Sequence, residues 1–300
     1  MFHDGVTSDA GAAYVFVRSG ATWTQQAKLL AADGAADDQL GISVALEGDT
    51  ALVGTVHDSD HGTHSGSAYV FVRGGTRWTQ QAKLTAADGV ELDQFGISVA
   101  VSGDTALVGA YGDDDLGKSS GAAYVFVRGG TTWTQQAKLL ADDGEAIDEL
   151  GVSVAVSGNT ALVGAIFSKA RAGAAYVFVR GGTTWTQQAK LTAAHRVDDD
   201  NFGASVALLG ETALVGVPND RALGAASGSA YVFVRRGTTW TQLTKLQAAD
   251  GASADLFGSS VALSGNTALV GELGDDDLGG SSGSAYPYTL APSTTPGPAR

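Results

Sequence analysis

A short apolar word, Ala-Tyr-Val-Phe-Val-Arg, returns along the chain at a nearly fixed interval and limits the fold more than any other feature. Its tyrosines are Tyr14, Tyr69, Tyr124, Tyr176 and Tyr231, with a degenerate sixth copy at Tyr286, so successive copies stand 55, 55, 52, 55 and 55 residues apart. Trp23, Trp78, Trp133, Trp185 and Trp240 each follow a tyrosine by nine residues, and the sixth copy has no Trp. Two more words keep the register: Ser-Val-Ala beginning at Ser43, Ser98, Ser153, Ser205 and Ser260, and Ala-Leu-Val-Gly ending at Gly54, Gly109, Gly164, Gly216 and Gly271. One such unit cannot bury its apolar face alone and needs its neighbours. The period therefore overrides the two domains that 300 residues would otherwise imply.

Each period holds four apolar segments of four to eight residues, rich in Val, Thr, Tyr, Phe or Trp and bounded by Gly, Ser, Asp or Asn. This pattern predicts strands and not helices. In the second unit, strand A covers 97–101 and strand B 105–110, joined by the hairpin turn Ser102-Gly103-Asp104. Strand C covers 122–128 and strand D 132–139, joined by Gly129-Gly130. Strands B and C are nearly continuous apolar runs, as expected where both faces are covered, while Gly96, Ser98 and Ala100 suit a crowded innermost strand. Gln135, Gln136 and Lys138 beside Trp133 suit an outer edge that must not recruit other chains. The fold class expected is all-β, a five-bladed β-propeller of four-stranded antiparallel blades with A at the axis and D at the rim.

The chain opens with a C-D pair at 12–29 and its last A-B pair ends near Gly271. Closure is therefore expected from the N-terminal C-D strands pairing with the C-terminal A-B strands. The competing copy at Tyr286 carries Pro287, which lacks a ladder donor. One domain would span 1–290, with repeats near 12–40, 41–95, 96–150, 151–202, 203–257 and 258–290. Residues 291–300, with three of the five prolines, read as a disordered tail. The alternative is a slice of a longer ring whose ends pair between molecules, making a strand-swapped oligomer in place of the expected monomer.

Copies such as Phe95-Gly96-Ile97-Ser98-Val99-Ala100 followed by Ala106-Leu107-Val108-Gly109 resemble the FG-GAP repeat, which builds the propeller of integrin α-chains and of many bacterial surface or secreted proteins. The likeness covers roughly 11–290 and is greatest to a bacterial branch carrying the words found here at 66–73 and 78–84. It implies an extracellular or cell-surface interaction or adhesion module; Met1-Phe2-His3-Asp4 does not read as a signal peptide. Integrin-type repeats often carry an acidic calcium loop between strands A and B. Here that link is only a short turn such as Glu47-Gly48-Asp49 or Ser157-Gly158-Asn159, so calcium binding does not carry over with the resemblance.

The acids that could hold a metal lie between strands B and C instead: Asp58 and Asp60, Asp113, Asp114 and Asp115, and Asp275, Asp276 and Asp277. Calcium wants six to eight oxygens, which clustered carboxylates and loop carbonyls can supply. The same acids suit solvated turns, and the third copy, at 167–172, has none. A second set, Asp37-Asp38, Asp93, Asp148-Glu149, 198–200 and Asp255, recurs before every strand A and is expected to accept backbone N–H bonds in the turn.

His57, His61 and His64 share one loop, but no other unit repeats them, so they read as variable loop sequence. The tryptophans keep strict strand positions, which favours packing between blades over sugar stacking. With 18 basic and 32 acidic residues the net charge is −14, which excludes nucleic acid and anionic membrane as natural partners. Zero Cys removes disulfides and thiolate chemistry, and no apolar run is continuous enough for membrane insertion. No nucleophile elbow, phosphate loop or zinc-protease helix is present. The function expected is non-enzymatic binding of a protein or surface ligand through loops on one propeller face, cation-assisted if calcium binds there. A carbohydrate-binding propeller is the alternative, and an enzyme with a site in the axial channel the third.

Overall fold

The computed structural model describes residues 8–169, 171–195 and 197–290, and among them every regular element is a strand. A hairpin, β1 (Ala13–Ser19) and β2 (Thr22–Leu29), comes first. The first blade is β3 (Ser43–Glu47), β4 (Thr50–Thr55), β5 (Ser67–Gly74) and β6 (Arg77–Leu84). The second is β7 (Ser98–Ser102), β8 (Thr105–Ala110), β9 (Ala122–Gly129) and β10 (Thr132–Leu139). The third is β11 (Leu150–Ser157), β12 (Thr160–Ala165), β13 (Ala174–Gly181) and β14 (Thr184–Leu191). The fourth is β15 (Ser205–Leu209), β16 (Thr212–Val217), β17 (Ser229–Arg236) and β18 (Thr239–Leu246). The fifth has three strands, β19 (Phe257–Ser264), β20 (Thr267–Glu272) and β21 (Ser284–Thr289). Within each blade consecutive strands pair antiparallel, so the protein is an all-β, five-bladed propeller with four blades of four strands and one of three.

Burial follows the two-faced character of the middle strands. Residues of β4, β8 and β12 are buried throughout, as are the first five of β5, β9, β13 and β17. Each interior blade can bury these faces only against the next. Leu52 of the first blade packs with Val99, Val108, Tyr124 and Phe126 of the second, and Leu162 of the third packs with Val215, Tyr231 and Phe233 of the fourth.

The blades come closest at the inner strands, where the sequence words explain themselves. The Ser43 hydroxyl donates to the Gly96 carbonyl of the next blade at 2.7 Å, and Ser98, Ser153 and Ser205 repeat the bond to Gly151, Gly203 and Gly258 at 2.7 to 2.8 Å. The last residue of each of the first four Ala-Leu-Val-Gly words faces the same carbonyl. A Cβ on Gly109 would overlap the Gly151 oxygen and the Ser98 hydroxyl, and Gly54, Gly164 and Gly216 are in the same position. Only glycine allows this approach.

Closure departs from the expected pairing. β20 takes β21 as its third strand, in register from Glu272 opposite Ser284 to Thr267 opposite Thr289, and β1 and β2 form a separate two-stranded sheet. The physical reason is proximity: β21 follows β20 after a short loop, whereas bringing β1 to the same edge closes a loop of more than two hundred residues. Pro287 loses one N–H, but Tyr286 and Tyr288 keep their ring contacts to Phe257 at 5.6 and 6.0 Å. The β1–β2 hairpin packs on the first blade instead, where Ala13, Val15, Ala27 and Leu29 cover Ala51, Val53, Tyr69 and Phe71. Val44 and Leu46 on β3 and Leu269 on β20 consequently stay exposed, although Leu52, Leu107, Leu162 and Leu214, the counterparts of Leu269, are fully buried. The Pro-rich stretch 291–300 lies outside the described residues.

Gly109→Ala should lower stability by about 3 kcal/mol or more, because the methyl must displace backbone of the neighbouring blade. Gly129→Ala, with no atom near its added carbon, should change it by less than about 1 kcal/mol. Urea denaturation midpoints of the two variants check this.

Candidate functional site

Strand direction sorts the connections into two faces. The short A-B and C-D turns lie on one face, and the longer B-C loops and the connections between blades lie on the other. Of the 32 acids, Glu47, Asp49, Asp104 and Glu211 belong to the short-turn face and Asp4 lies outside the described residues, so nearly all the negative charge gathers on the long-loop face. On the short-turn face each acid has local work: Arg73 pairs with Asp49 at 2.5 Å, Arg128 with Asp104 at 2.6 Å and Arg235 with Glu211 at 2.5 Å, while Glu47 accepts the backbone N–H of Gly103.

On the long-loop face the acids named as metal ligands surround a lysine from the fourth strand. Lys83 Nζ lies 2.9 Å from Asp33, 2.8 Å from Asp58 and 2.6 Å from Asp60. The Tyr69 hydroxyl bonds Asp33 at 2.9 Å and Asp58 at 3.1 Å. The second blade repeats the cage with Lys138 at 2.8, 2.7 and 2.6 Å from Asp88, Asp113 and Asp115. In the third, Lys190 holds Asp143 at 2.7 Å and the Ser168 hydroxyl at 3.2 Å, and in the fourth, Lys245 holds Asp220 at 2.7 Å. Burial pulls the ammonium of Lys83 down, but its bonds to Asp33, Asp58 and Asp60 outweigh that and raise it above the ordinary lysine range; Lys138 behaves alike. The ammonium thus fills the space between Asp58 and Asp60, and between Asp113 and Asp115, that a cation would need. Asp114 turns away and accepts the Ser119 N–H at 2.6 Å. Asp275, Asp276 and Asp277 come together in the fifth blade, where among the described residues no fourth strand brings a lysine.

The second acidic set does the turn chemistry expected of it. Asp38 accepts the Ala35 N–H at 2.6 Å, Asp93 that of Val90 at 2.8 Å, Asp148 that of Glu145 at 3.1 Å and Asp255 that of Ala252 at 2.5 Å. Burial, assisted by the charge of Asp113 and opposed by the Val90 N–H, pushes the Asp93 carboxyl up to about 6.

The tryptophans join blades. Trp78, Trp133, Trp185 and Trp240 donate their indole N–H to Gln26, Gln81, Gln136 and Gln188 of the preceding sheet at 2.9 to 3.0 Å, and each stacks under the arginine of its own third strand. Trp23, on the opening hairpin, is exposed. The His57 and His64 rings stack at 4.0 Å beside the first cage.

What strand patterning could not show is the apolar content of the acidic face. Leu116, Leu223 and Leu278 stand at equivalent loop positions, three residues after Asp113, Asp220 and Asp275, and all are exposed, Leu278 by 92%. Leu92 and Ile147 in the neighbouring connections are also about half exposed, and both hold a left-handed backbone, with φ of 69° and 72°. Such a conformation is costly for a β-branched residue and is kept by hydrogen bonds from the Leu92 N–H to Thr63 and from the Ile147 N–H to Lys118.

The FG-GAP repeat profile matches residues 23–71, 78–126, 133–178, 185–233 and 240–288, and the chain belongs to the FG-GAP repeat family. Each match runs from the last strand of one sheet through the third strand of the next, so the family unit straddles the joint between blades. No curated protein matches the chain. Propellers of this family serve generally as protein-interaction modules and are typical of extracellular or surface proteins. No described helix is long and apolar enough to cross a membrane.

Two measurements test the cages and turns. Lys138→Met should destabilise the protein by about 2 to 4 kcal/mol by stranding the buried Asp113, and Asp113→Asn in the same chain should restore part of the loss, read as the coupling in a double-mutant cycle. Asp93 binds a proton more tightly folded than unfolded. Its contribution is therefore full below about pH 4 and is lost as the pH rises through 6. Asp93→Asn, which keeps the acceptor for Val90, should gain on the unsubstituted protein in denaturation midpoint between pH 4 and 7.

Proposed function

We propose that this chain is a non-enzymatic extracellular interaction module that docks a basic protein surface on its long-loop face. One observation carries the reading: acids and exposed apolar residues, Leu92, Leu116, Ile147, Leu223 and Leu278, share that face, while the opposite face keeps its few acids in local pairs. Exposed apolar groups set among charges suit an association surface, and the acidic field would steer a basic partner toward them. Support for a non-enzymatic role comes from the acids before each inner strand and the lysines of the outer strands, which recur from blade to blade in turns and ion pairs.

Binding of the chain to an immobilised peptide alternating Lys and Leu tests this. Affinity should fall at least tenfold between 50 and 300 mM NaCl and again in a variant carrying Asp114→Asn, Leu116→Ser, Glu145→Gln and Ile147→Ser. Glu47→Gln on the other face should leave it unchanged. Binding confined to a glycan array, with none to the peptide, would replace this reading by the carbohydrate-binding one.

A further inference from the structure

Among the described residues, the fifth blade repeats the acidic cage of the first two blades without its lysine. Asp250, Asp275 and Asp277 stand at the positions of Asp33, Asp58 and Asp60, and Tyr286 at that of Tyr69. The Tyr286 hydroxyl donates to Asp250 at 3.0 Å and lies 3.4 Å from Asp275, as Tyr69 bridges Asp33 and Asp58. The Asp277 N–H closes the loop on Asp275 at 2.9 Å, and carboxylate oxygens of Asp275, Asp276 and Asp277 lie within 4.8 Å of one another. Among the described residues none of these acids has an ion pair.

A second observation, independent of the cluster, points the same way. The residue ending the second strand of each blade is Thr55, Ala110, Ala165 or Val217, small or apolar, but in the fifth blade it is Glu272. Glu272 is only 3% exposed, and neither of its carboxylate oxygens has a hydrogen-bond partner. Glu272 stands opposite Ser284 in the β20–β21 register, on the face of the sheet that also carries Tyr286. Burial pushes its carboxyl up to about 6, opposed by the nearby Tyr286 hydroxyl, whose proton goes to Asp250 at 3.0 Å, and assisted by the charges of Asp255, Asp275 and Asp250. An unpaired carboxylate in such a place is expensive, and adding a fourth negative group to an unneutralised cage would be more so unless a cation enters.

We propose that the fifth blade binds one hard divalent cation of the calcium class in the place where the other blades hold an ammonium, with Asp250, Glu272, Asp275 and Asp277 as its carboxylates. In the filled cages three oxygens stand 2.6 to 2.9 Å from one nitrogen, so a contraction of a few tenths of an ångström brings the same arrangement to calcium–oxygen distances of about 2.3 to 2.6 Å. The Tyr286 oxygen, loop carbonyls and water complete the shell. The site does not depend on the face being a docking surface.

The test is calorimetric titration of the chelator-treated chain with calcium chloride alone, paired with thermal denaturation. One ion per chain should bind and raise the melting temperature. Glu272→Gln should weaken binding at least tenfold, Asp275→Asn should abolish it, and Asp113→Asn in the lysine-filled second cage should leave it intact. Glu272→Thr, which installs the residue found at Thr55, keeps the fold and should also lose the ion. Absence of saturable binding at millimolar calcium overturns the proposal, as does binding indifferent to Glu272→Gln and Asp275→Asn. Association of metal-free chains abolished by Glu272→Gln, seen by sedimentation, would assign the cage to a lysine of a second copy and overturn it equally. Because no peptide enters this experiment, its failure leaves the docking reading standing, and failure of peptide binding leaves the cation site standing.

Discussion

Every blade of this protein has two apolar faces and no means of covering either by itself. Burial by the next blade is therefore the interaction on which the rest depends, and it explains why the tightest sequence words are those at the joints. Gly109 is glycine because the Gly151 carbonyl occupies the space of its side chain, and Ser98 is serine because that carbonyl needs a donor once water is excluded. The indole of Trp133 and the amide of Gln81 repeat this logic at the rim.

The lysine cages are the polar counterpart of the same joint. Lys138 draws Asp88 from the connection before its blade and Asp113 and Asp115 from its own loop, so one ammonium fixes two loops on the long-loop face. A charge that would be a liability in isolation becomes a staple when three carboxylates and a tyrosine surround it. The acidic face is thus tied together at its base, where the cages are, and exposes Leu116, Leu223 and Leu278 beyond them.

The hairpin at the N-terminus and the sheet at the C-terminus show how a local rule yields to a stronger one. Pro287 weakens β21 as a strand, yet β21 wins the third position of its blade because a short loop ties it there and its tyrosines pack on Phe257. The cost appears as exposed Val44, Leu46 and Leu269, side chains whose counterparts in the interior joints are better covered.

Strand identity, blade order and the packing role of the tryptophans were legible from the 55-residue period, because a repeated alternation of strand and turn has few ways to bury itself. The turn role of Asp93 and Asp255 was legible for the same reason, since it recurs. The partners of Asp58 and Asp113 were not, because Lys83 and Lys138 lie about 25 residues away on another strand and meet them only when the sheet has formed. Nor could one dimension show that Glu272 is sealed from water beside Asp250 and Asp275, or that β21 excludes β1 from the last blade. Periodicity determines which faces must be buried. Which charge neutralises which, and which edge pairs with which, is a matter of distance in the folded chain, and only the tertiary structure decides it.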